Sequence, residues 1–419
     1  MRRRTVLAGA LAVPFVARAQ GTAQGAARIV VVGGGFAGAT AARMLALAGH
    51  QVTMVEAEAQ YVSCPFSNLV LAGMRELDQQ RFGWDKMAAA GVKLVQARAT
   101  GVDGAARRVL LGGDSIEYDR LVMAPGVDMR LGNEPGALPG YGQAATAKMP
   151  HAWKAGPQTT LLREQLRAMP DGGTVVMSVP ANPYRCPPGP YERASLIAWY
   201  LKNNKPRSKL LVLDAKDQFS KQKLFQQAWA RMYPGILEWV SLSDGGAVTA
   251  VDPAAMTLAT DFAAHKADVA NVIPPQRAGA IAQAAGVADR TGWCPVDPVS
   301  FESLRMPNIH VIGDAAIMGA MPKSAFAANA QAKVCAQAVT AMLAGRTPEV
   351  PRLINTCYSL VAPEYGISVA GVYKPANGQL TDIEGAGGTS PLDAGPAVRA
   401  QEAAYADVWY RTITGAVFG

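Results

Sequence analysis

The stretch Arg28-Ile-Val-Val-Val32, followed by Gly33-Gly-Gly-Phe-Ala-Gly38, decides the fold of the first part of this chain. The β-branched run predicts a buried strand, and the Ala-, Leu- and Met-rich run 39–48, ended by Gly49, predicts a helix. In such a turn Gly33 makes the chain reverse tightly, Gly35 lets a pyrophosphate approach the backbone, and Gly38 lets the helix pack on the strand. The helix N-terminus supplies N–H groups and partial positive charge for that pyrophosphate.

An acid stands where a dinucleotide fold needs one. The next predicted strand, 51–55, ends in Glu56, eighteen residues beyond Gly38, and the expected spacing is about 20 residues. A carboxylate here can accept hydrogen bonds from ribose hydroxyls and disfavours a 2′-phosphate. Because both flanking elements and the acid are in place, we favour a dinucleotide site over an ordinary glycine turn.

Two later segments indicate which dinucleotide is bound. Segments 117–126, ending in Gly126, and 308–316, containing Asp314, each read as a strand delivering a turn. They resemble the motifs that close the FAD site in flavoproteins with two dinucleotide domains, where the acid binds the ribityl chain or nearby pyrophosphate ligands. An ordinary helix cap is the alternative for Asp314. The predicted helix that follows, 322–342, resembles one that points its N-terminus at the flavin pyrimidine, where Lys323 could add a charge. An ordinary exposed lysine at a helix start is the alternative for Lys323.

The middle of the chain predicts a second strand-turn-helix unit without its glycines. Strand 173–179 leads into a proline-rich turn, and helix 191–201 and strand 209–214 follow. Prolines fix φ and remove N–H donors, so this turn cannot cradle a pyrophosphate. We therefore expect that NAD(P)H does not deliver electrons here.

Cys186 stands in that proline-rich turn and is one of five cysteines. A position just before a helix start predicts a lowered thiol pKa. Its expected partner is Cys357, 171 residues further along the chain, so only the fold can bring the two together. A structural disulfide is the alternative, since exported proteins commonly contain such bonds.

The N-terminus predicts export. Residues 1–19 combine arginines at 2–4, the apolar run 6–16 and a small-x-small cleavage site at 17–19. The paired arginines favour a twin-arginine signal over an ordinary secretory signal, and hence a periplasmic protein exported already folded. Removing this segment takes away four arginines and no acid, so the net charge falls from +8 to +4.

Composition excludes several other classes of function. No Lys/Arg block with interleaved aromatics is present, which argues against nucleic acid as a partner. No later segment offers the ~18 uninterrupted apolar residues of a membrane span. Cys-x-x-Cys-His does not occur, so the chain itself attaches no haem covalently, and we assign no metal site.

Six segments together resemble the flavoprotein subunit of flavocytochrome c sulfide dehydrogenase over essentially the whole predicted mature chain. They are Cys64-Pro-Phe-Ser-Asn, Tyr184-Arg-Cys-Pro-Pro-Gly-Pro-Tyr-Glu-Arg-Ala194, Gly292-Trp-Cys-Pro-Val-Asp297, Val311-Ile-Gly-Asp-Ala315, Pro322-Lys-Ser-Ala-Phe-Ala-Ala-Asn-Ala-Gln331 and Asn355-Thr-Cys-Tyr-Ser359.

The resemblance implies a specific chemistry. It implies that Cys64 holds FAD covalently through a thioether to the flavin 8α carbon, and that Cys186 and Cys357 form a redox-active disulfide over the flavin. It suggests Glu192 as an active-site base or proton relay. The implied reaction oxidises sulfide, or a related reduced sulfur species, to polysulfide or sulfur and passes the electrons to a c-type cytochrome subunit.

The expected architecture is α/β, with two Rossmann-like domains and a smaller C-terminal α+β interface domain. The expected boundaries are 1–19 for the signal, 27–136 with 280–346 for the FAD domain, 137–279 for the second domain, and 347–419 for the interface domain. Aromatic side chains of the last domain, Tyr373, Trp409 and Tyr410, suit either a docking face for a cytochrome or the core. Two alternatives for the function are a sulfide:quinone oxidoreductase and a non-catalytic flavin-binding partner of a cytochrome.

Overall fold

The computed structural model describes residues 26–419, so the predicted export segment 1–19 lies outside the described residues. The first part of the chain alternates strands and helices. Its elements are β1 (Arg28–Val32), α1 (Phe36–Leu47), β2 (Gln51–Glu56), β3 (Tyr61–Val62), α2 (Ser67–Leu71), β4 (Arg81–Phe82), α3 (Asp85–Ala89), β5 (Lys93–Gln96), β6 (Gly101–Asp103), β7 (Arg108–Leu110), β8 (Ser115–Glu117), β9 (Arg120–Met123) and β10 (Val127–Met129).

The middle of the chain repeats this pattern. Its elements are α4 (Pro157–Ala168), β11 (Thr174–Val179), α5 (Gly189–Asn204), β12 (Lys209–Asp214), α6 (Gln222–Met232), β13 (Leu237–Val240), β14 (Val248–Asp252), β15 (Thr257–Thr260), β16 (Ala264–Lys266) and β17 (Val269–Val272). Strands β13, β12, β11 and β17 form a parallel sheet in that order. Four of the six residues of β11 have apolar, buried side chains, as a strand covered on both faces requires.

The chain then returns to the first unit. The returning elements are β18 (Gln276–Ala278), α7 (Ile281–Ala284), β19 (Cys294–Pro295), β20 (Ile309–Val311), β21 (Ala316–Ile317) and α8 (Ala325–Leu343). Strand β20 pairs with β9 and completes a parallel sheet of order β20-β9-β1-β2-β5. Ser324 caps α8 by accepting a hydrogen bond from the Ala327 N–H, so this helix begins three residues later than expected.

The last part is a mainly antiparallel layer closed by a helix. It contains β22 (Leu353–Ala362), β23 (Tyr365–Ala376), β24 (Gln379–Asp382), β25 (Gly388–Thr389) and α9 (Pro396–Val417). Strand β22 pairs with β23, which also pairs with β24 and β25. Helix α9 packs on this sheet, and one continuous apolar core links both parallel sheets to it. The expected α/β class is confirmed.

No helix within residues 26–419 combines the length and the apolarity that crossing a membrane requires.

Candidate functional site

A single large cavity collects most of the predicted site residues. Its volume is about 960 Å³, at the upper end of the roughly 300–1,000 Å³ typical of small-molecule sites, as a ligand of dinucleotide size requires. The predicted residues in its wall are Gly33, Gly35, Glu56, Cys64, Gly126, Cys186, Glu192, Asp314 and Cys357.

The turn after β1 has the geometry of a dinucleotide cradle. Gly33 adopts φ +98°, which L side chains rarely tolerate, and a Cβ there would collide with the carbonyl oxygen of Ala124. Gly38 lies behind the cavity wall, and a Cβ there would collide with the carbonyl oxygen of Gly33. The Glu56 carboxylate accepts hydrogen bonds from the Gly34 N–H at 2.6 Å and the Glu58 N–H at 3.0 Å. The acid is thereby fixed beside the turn.

Asp314 tests whether the cavity fits a flavin dinucleotide. Its Oδ1 atom is buried without a hydrogen-bond partner, although the side chain faces the cavity. Burial raises the pKa of this carboxyl group. Because buried polar atoms are nearly always paired, a hydroxyl donor such as a ribityl chain supplies what this atom lacks. The glycine turn, Glu56 and Asp314 therefore fit FAD together.

Lys323 does not have the position that the sequence suggests. Its ammonium donates to the carbonyl oxygens of Asp314 at 2.8 Å and Ala316 at 2.6 Å, and lies 4.1 Å from the centroid of the Trp293 ring. Burial lowers its pKa to about 8. Lys323 is absent from the cavity wall, so the expectation that it presents a charge to the cofactor is corrected. The carbonyl oxygens of Asp314 and Ala316 hold its ammonium group behind the wall.

Cys186 is held in a left-handed backbone conformation at φ +60°. Its N–H donates to the carbonyl oxygen of Lys323 at 2.8 Å, and its own carbonyl accepts from the Gly189 N–H at 2.8 Å. A side chain at Gly189 would lie 2.8 Å from the Cys186 sulfur, so glycine at the start of α5 makes room for that sulfur. Strained conformations of this kind concentrate at functional sites.

Cys186 and Cys357 line the same cavity, and both are unbonded thiols in the structure. The disulfide implied by the resemblance is therefore not formed here. The expected lowering of the Cys186 pKa is wrong: burial raises the pKa of this thiol, and the nearby Cys357 and Glu192 raise it further. Desolvation of the thiolate thus outweighs the helix N-terminus.

Glu192 lies on the first turn of α5 and faces the same cavity. Its carboxylate accepts hydrogen bonds from the Asn68 side chain at 2.8 Å and from the Leu360 N–H at 2.9 Å. Burial raises its pKa, an effect that these two donors oppose. A buried carboxyl group with a raised pKa can exchange protons nearer neutral pH than an exposed one.

Cys64 precedes α2 and lies beside the loop at Trp153, whose carbonyl oxygen is 3.8 Å from the Cys64 sulfur. The Arg185 guanidinium donates to the same carbonyl oxygen and also lines the cavity. Cys64 and Cys186 are therefore in the wall of one cavity, and Arg185, the chain neighbour of Cys186, shares the Trp153 carbonyl contact with Cys64.

Sequence reasoning missed a buried cation that joins these segments. Arg193 is 2% exposed, and it donates to Asn68 Oδ1 at 3.0 Å and to the carbonyl oxygens of His151 and Ala152. Its guanidinium also lies over the Trp153 ring, and burial lowers its pKa to about 9. The neighbouring Glu192 was singled out, but no local pattern distinguishes a buried arginine from an exposed one. Arg185, Lys221 and Asn355 were missed for the same reason.

The turn of the second unit is filled by side chains of the chain itself. Asp214, the last residue of β12, is fully buried and accepts hydrogen bonds from Tyr191 and Trp239. The Tyr191 ring stacks on Phe219 with centroids 3.6 Å apart. In place of a glycine cradle, this unit has a packed aromatic cluster around a carboxylate.

Four of the five remaining candidates are buried in the core. Cys294 and Cys335 are fully buried, and so are the aromatic rings of Tyr373 and Tyr410, at 6% and 1% exposure. Trp409 alone of the three C-terminal aromatics lines the cavity. Within residues 26–419, no group of three or more His, Cys, Asp and Glu side chains is placed to hold a metal ion.

Three parts of the chain match known families. Residues 27–159 match the pyridine nucleotide-disulphide oxidoreductase family. Residues 159–274 match the central region of the sulfide dehydrogenase [flavocytochrome c] flavoprotein chain, and residues 349–418 match the flavin-binding region of flavocytochrome c sulphide dehydrogenase. The chain belongs to the family of flavocytochrome c sulfide dehydrogenase flavoprotein chains. It is accordingly an oxidoreductase with a flavin cofactor.

A relative within this family is the sulfide dehydrogenase [flavocytochrome c] flavoprotein chain of Chlorobaculum thiosulfatiphilum. It is 50% identical over 48 residues, which are 11% of this chain and the whole of that sequence.

Solved structures share the fold of this family at low identity. The sulfide:quinone oxidoreductase of Aquifex aeolicus superposes with a TM-score of 0.70 at 16% identity, over 93% of this chain and 92% of that one. The putidaredoxin reductase–putidaredoxin complex gives a TM-score of 0.63 at 17% identity, over 93% and 99%. A NAD-dependent persulfide reductase from A. fulgidus gives 0.60 at 15% identity, over 93% and 77%.

Proposed function

We propose that this protein oxidises sulfide, or a related reduced sulfur species, to polysulfide or sulfur, using a Cys186–Cys357 disulfide and FAD bound covalently at Cys64. The observation that carries the proposal is that Cys186, Cys357, Glu192 and Cys64 line the cavity that also contains the dinucleotide turn. Redox sulfurs, a proton-exchanging carboxyl group and a flavin site are thereby within one enclosed space. Membership of the family supports the same chemistry.

The sulfur chemistry starts from the oxidised pair. Hydrosulfide forms a bond to one sulfur of the disulfide, and the bond between the two cysteines breaks, leaving a persulfide and a thiolate. A second hydrosulfide takes the outer sulfur of the persulfide as hydrogen disulfide, and that cysteine takes the proton. FAD, when bound, would be the two-electron acceptor for re-formation of the Cys186–Cys357 disulfide and a one-electron donor suited to a haem.

Glu192 is assigned the proton transfer. Hydrogen sulfide must lose a proton to become the nucleophile, and the cysteine released from the persulfide must gain one. The carboxyl group of Glu192 faces the same cavity as both cysteines, and burial raises its pKa. Asn68 and the Leu360 N–H fix its orientation through hydrogen bonds of 2.8 and 2.9 Å.

The electron acceptor that we propose is a c-type cytochrome subunit in the periplasm. The predicted signal 1–19 would direct export of the present chain to that compartment. Trp409 lies in the cavity wall, with its ring centroid 6.4 Å from that of Phe326 and 6.2 Å from that of Tyr358. This aromatic group offers a partner an apolar contact next to the flavin site.

The paired arginines before the apolar run 6–16 support export by the twin-arginine route.

Anaerobic addition of sulfide tests the proposal through the flavin absorbance. We expect sulfide to bleach the flavin of the wild-type protein, and Cys186→Ser or Cys357→Ser to abolish bleaching while flavin stays bound. Cys335→Ser is the matched control, because this cysteine is fully buried and absent from the cavity wall. A Cys186→Ser variant that bleaches at the wild-type rate would remove the disulfide from the reaction.

The acceptor is identified by supplying two oxidants to the sulfide-reduced protein. We expect a c-type cytochrome to reoxidise the flavin and a soluble quinone to leave it reduced. Fast reoxidation by quinone alone would instead make the protein a sulfide:quinone oxidoreductase. A wild-type flavin that sulfide never bleaches would identify a non-catalytic flavin partner.

A further inference from the structure

The Cys357 sulfur receives a hydrogen bond whose donor is fixed by a helix cap. Asn355 is 2% exposed, and its Nδ2 atom lies 3.3 Å from the Cys357 sulfur. Its Oδ1 atom accepts a hydrogen bond from the Ser324 hydroxyl at 2.6 Å. The same hydroxyl oxygen accepts a hydrogen bond from the Ala327 N–H, and its own hydrogen is donated to Asn355. The amide is thus oriented with its N–H group on the sulfur.

A buried ammonium is held against the same strand segment. Lys221, 7% exposed, donates to the carbonyl oxygen of Cys357 at 2.9 Å and to the Ser359 hydroxyl at 2.8 Å. It comes from the start of α6 in the central region, whereas Cys357 belongs to β22. Its positive charge is therefore held at the backbone carbonyl of Cys357 in a poorly solvated setting, where charge interactions are strong.

Cys186 lacks such a hydrogen-bond donor. Its sulfur has no hydrogen-bond donor among the contacts that residues 26–419 make in the structure, and it shares the cavity with the Glu192 carboxyl group. Burial, Cys357 and Glu192 raise its pKa, and the charges of Arg185 and Lys221 oppose part of this rise. The Asn355 N–H group therefore stabilises a negative charge on the Cys357 sulfur, and within residues 26–419 no such donor reaches the Cys186 sulfur.

We propose that Asn355, oriented by Ser324, and Lys221 make Cys357 the leaving sulfur, so that hydrosulfide bonds to Cys186. This inference rests on the proposed function and assigns roles within it. Hydrosulfide and the disulfide give a persulfide on Cys186 and a thiolate on Cys357: the new bond joins the incoming sulfur to Cys186, the bond between the cysteines breaks, and the single negative charge moves to Cys357. A leaving thiolate that is better stabilised leaves faster.

The positioning residues are tested by alkylation without any sulfide. The holoprotein is treated anaerobically with a phosphine reductant, pulsed with iodoacetamide at neutral pH, denatured and digested, and the peptides of Cys186 and Cys357 are quantified by mass spectrometry. We expect Asn355→Leu to slow alkylation of Cys357 about tenfold, the effect of losing one hydrogen bond to a charged group, and to leave the Cys186 rate unchanged. Comparing each cysteine with itself cancels differences in access.

Two matched pairs separate this role from a structural one. Ser324→Ala should slow Cys357 alkylation, while Ser324→Thr, which keeps the hydroxyl and the helix cap, should restore the wild-type rate. Lys221→Met should also slow it, whereas Lys223→Met removes an exposed charge two residues away and should have no effect. The serine pair gives a result even if Asn355→Leu does not fold.

The site of attack is read by trapping one turnover. After one equivalent of sulfide and rapid alkylation, we expect the extra sulfur on the Cys186 peptide in the wild-type protein. Finding it on the Cys357 peptide overturns the proposal, and so does an unchanged Cys357 alkylation rate in both Ser324→Ala and Lys221→Met. If sulfide fails to bleach the wild-type flavin, the proposed function is contradicted instead. The alkylation rates are measured without sulfide and do not depend on that outcome.

Discussion

Lys216 and Asp214 form an ion pair of 2.6 Å in the central region, with the carboxylate fully buried and the ammonium side chain 8% exposed. The ammonium also donates to the carbonyl oxygen of Pro180, the first residue after β11. Tyr191 and Trp239 complete the hydrogen bonds of the carboxylate. The acid at the end of β12 therefore receives its hydrogen bonds from side chains of the protein itself.

We expect Asp214→Asn to lower the free energy of unfolding by about 3–5 kcal/mol, because it leaves a buried ammonium without its counter-charge. Urea unfolding followed by tryptophan fluorescence measures the change. Asp171→Asn is the control, since its partner Arg207 is 77% exposed and such pairs contribute about 0–1 kcal/mol. The double variant Asp214→Asn with Lys216→Met should recover part of the loss. Equal stability of wild type and Asp214→Asn would contradict the ion pair.

NADH and NADPH are expected to leave the flavin absorbance unchanged under anaerobic conditions. The prolines after β11 remove the N–H donors that a pyrophosphate needs, and the stacked rings of Tyr191 and Phe219 fill the adjoining space. Stopped-flow absorbance with sulfide as the positive control checks this. Rapid bleaching by NADH would show that a nucleotide site exists which these contacts do not reveal.

Glu192→Gln should slow sulfide-dependent bleaching by roughly 100-fold or more, the usual contribution of a positioned proton-transfer group. Glutamine retains an acceptor for either Asn68 or the Leu360 N–H, so the fold and the bound flavin should persist. Stopped-flow bleaching rates with the flavin content of each sample measure the effect. Wild-type rates in Glu192→Gln would exclude the carboxyl group from the reaction.

The same variant should change how stability depends on pH. The pKa of Glu192 is raised by burial from its usual 4.5, so the folded protein binds a proton that the unfolded chain has released. Wild-type stability therefore falls as pH rises from the usual glutamate pKa through the raised value. Glu192→Gln lacks this term, and the melting temperature of the variant relative to wild type should rise between pH 4 and pH 8. A difference that is constant over this range would argue against the raised pKa.

The sequence predicted those parts of the fold that depend on local pattern. Gly33 and Glu56 have positions dictated by one strand-turn-helix unit, and the structure has both beside the same turn. Strand β12 was predicted with its exact bounds because its apolar residues run without interruption between charged ends. Helix α5 begins earlier than expected because Gly189 and Pro190 can occupy a first helical turn.

The site itself was less accessible to such reasoning. Cys186 and Cys357 were paired through a resemblance, since no local rule joins residues 171 positions apart. The pKa of Cys186 was expected to fall because helix proximity can be read from sequence and burial cannot. Lys221 is buried and Lys323 half-buried although lysine is mostly exposed, and only tertiary contacts with backbone carbonyls show why.

Gly38→Ala should abolish flavin binding or prevent folding, because the added Cβ would overlap the carbonyl oxygen of Gly33 and push the turn out of shape. We expect purified variant protein to contain little flavin, and to be less stable than wild type by more than about 3 kcal/mol if it folds, as overpacking against backbone leaves little room to relax. Gly415→Ala is the control, since it is helical with no atom within 4 Å of an added Cβ. Full flavin content in Gly38→Ala would contradict the cradle.

Cys64→Ala should retain FAD in the folded protein and release it on denaturation. The glycine turn, Glu56 and Asp314 are unchanged by this substitution and hold the dinucleotide without a covalent bond. Intact mass after denaturation is expected to show one FAD on wild-type protein and none on Cys64→Ala, and the spectrum of the native variant should still be that of a bound flavin. Cys294→Ala is the control, because Cys294 lies outside the cavity wall, and this variant should keep the FAD mass. A wild-type mass without FAD would refute the thioether and leave Cys64 as an ordinary wall residue, because the fit of the dinucleotide does not depend on that bond.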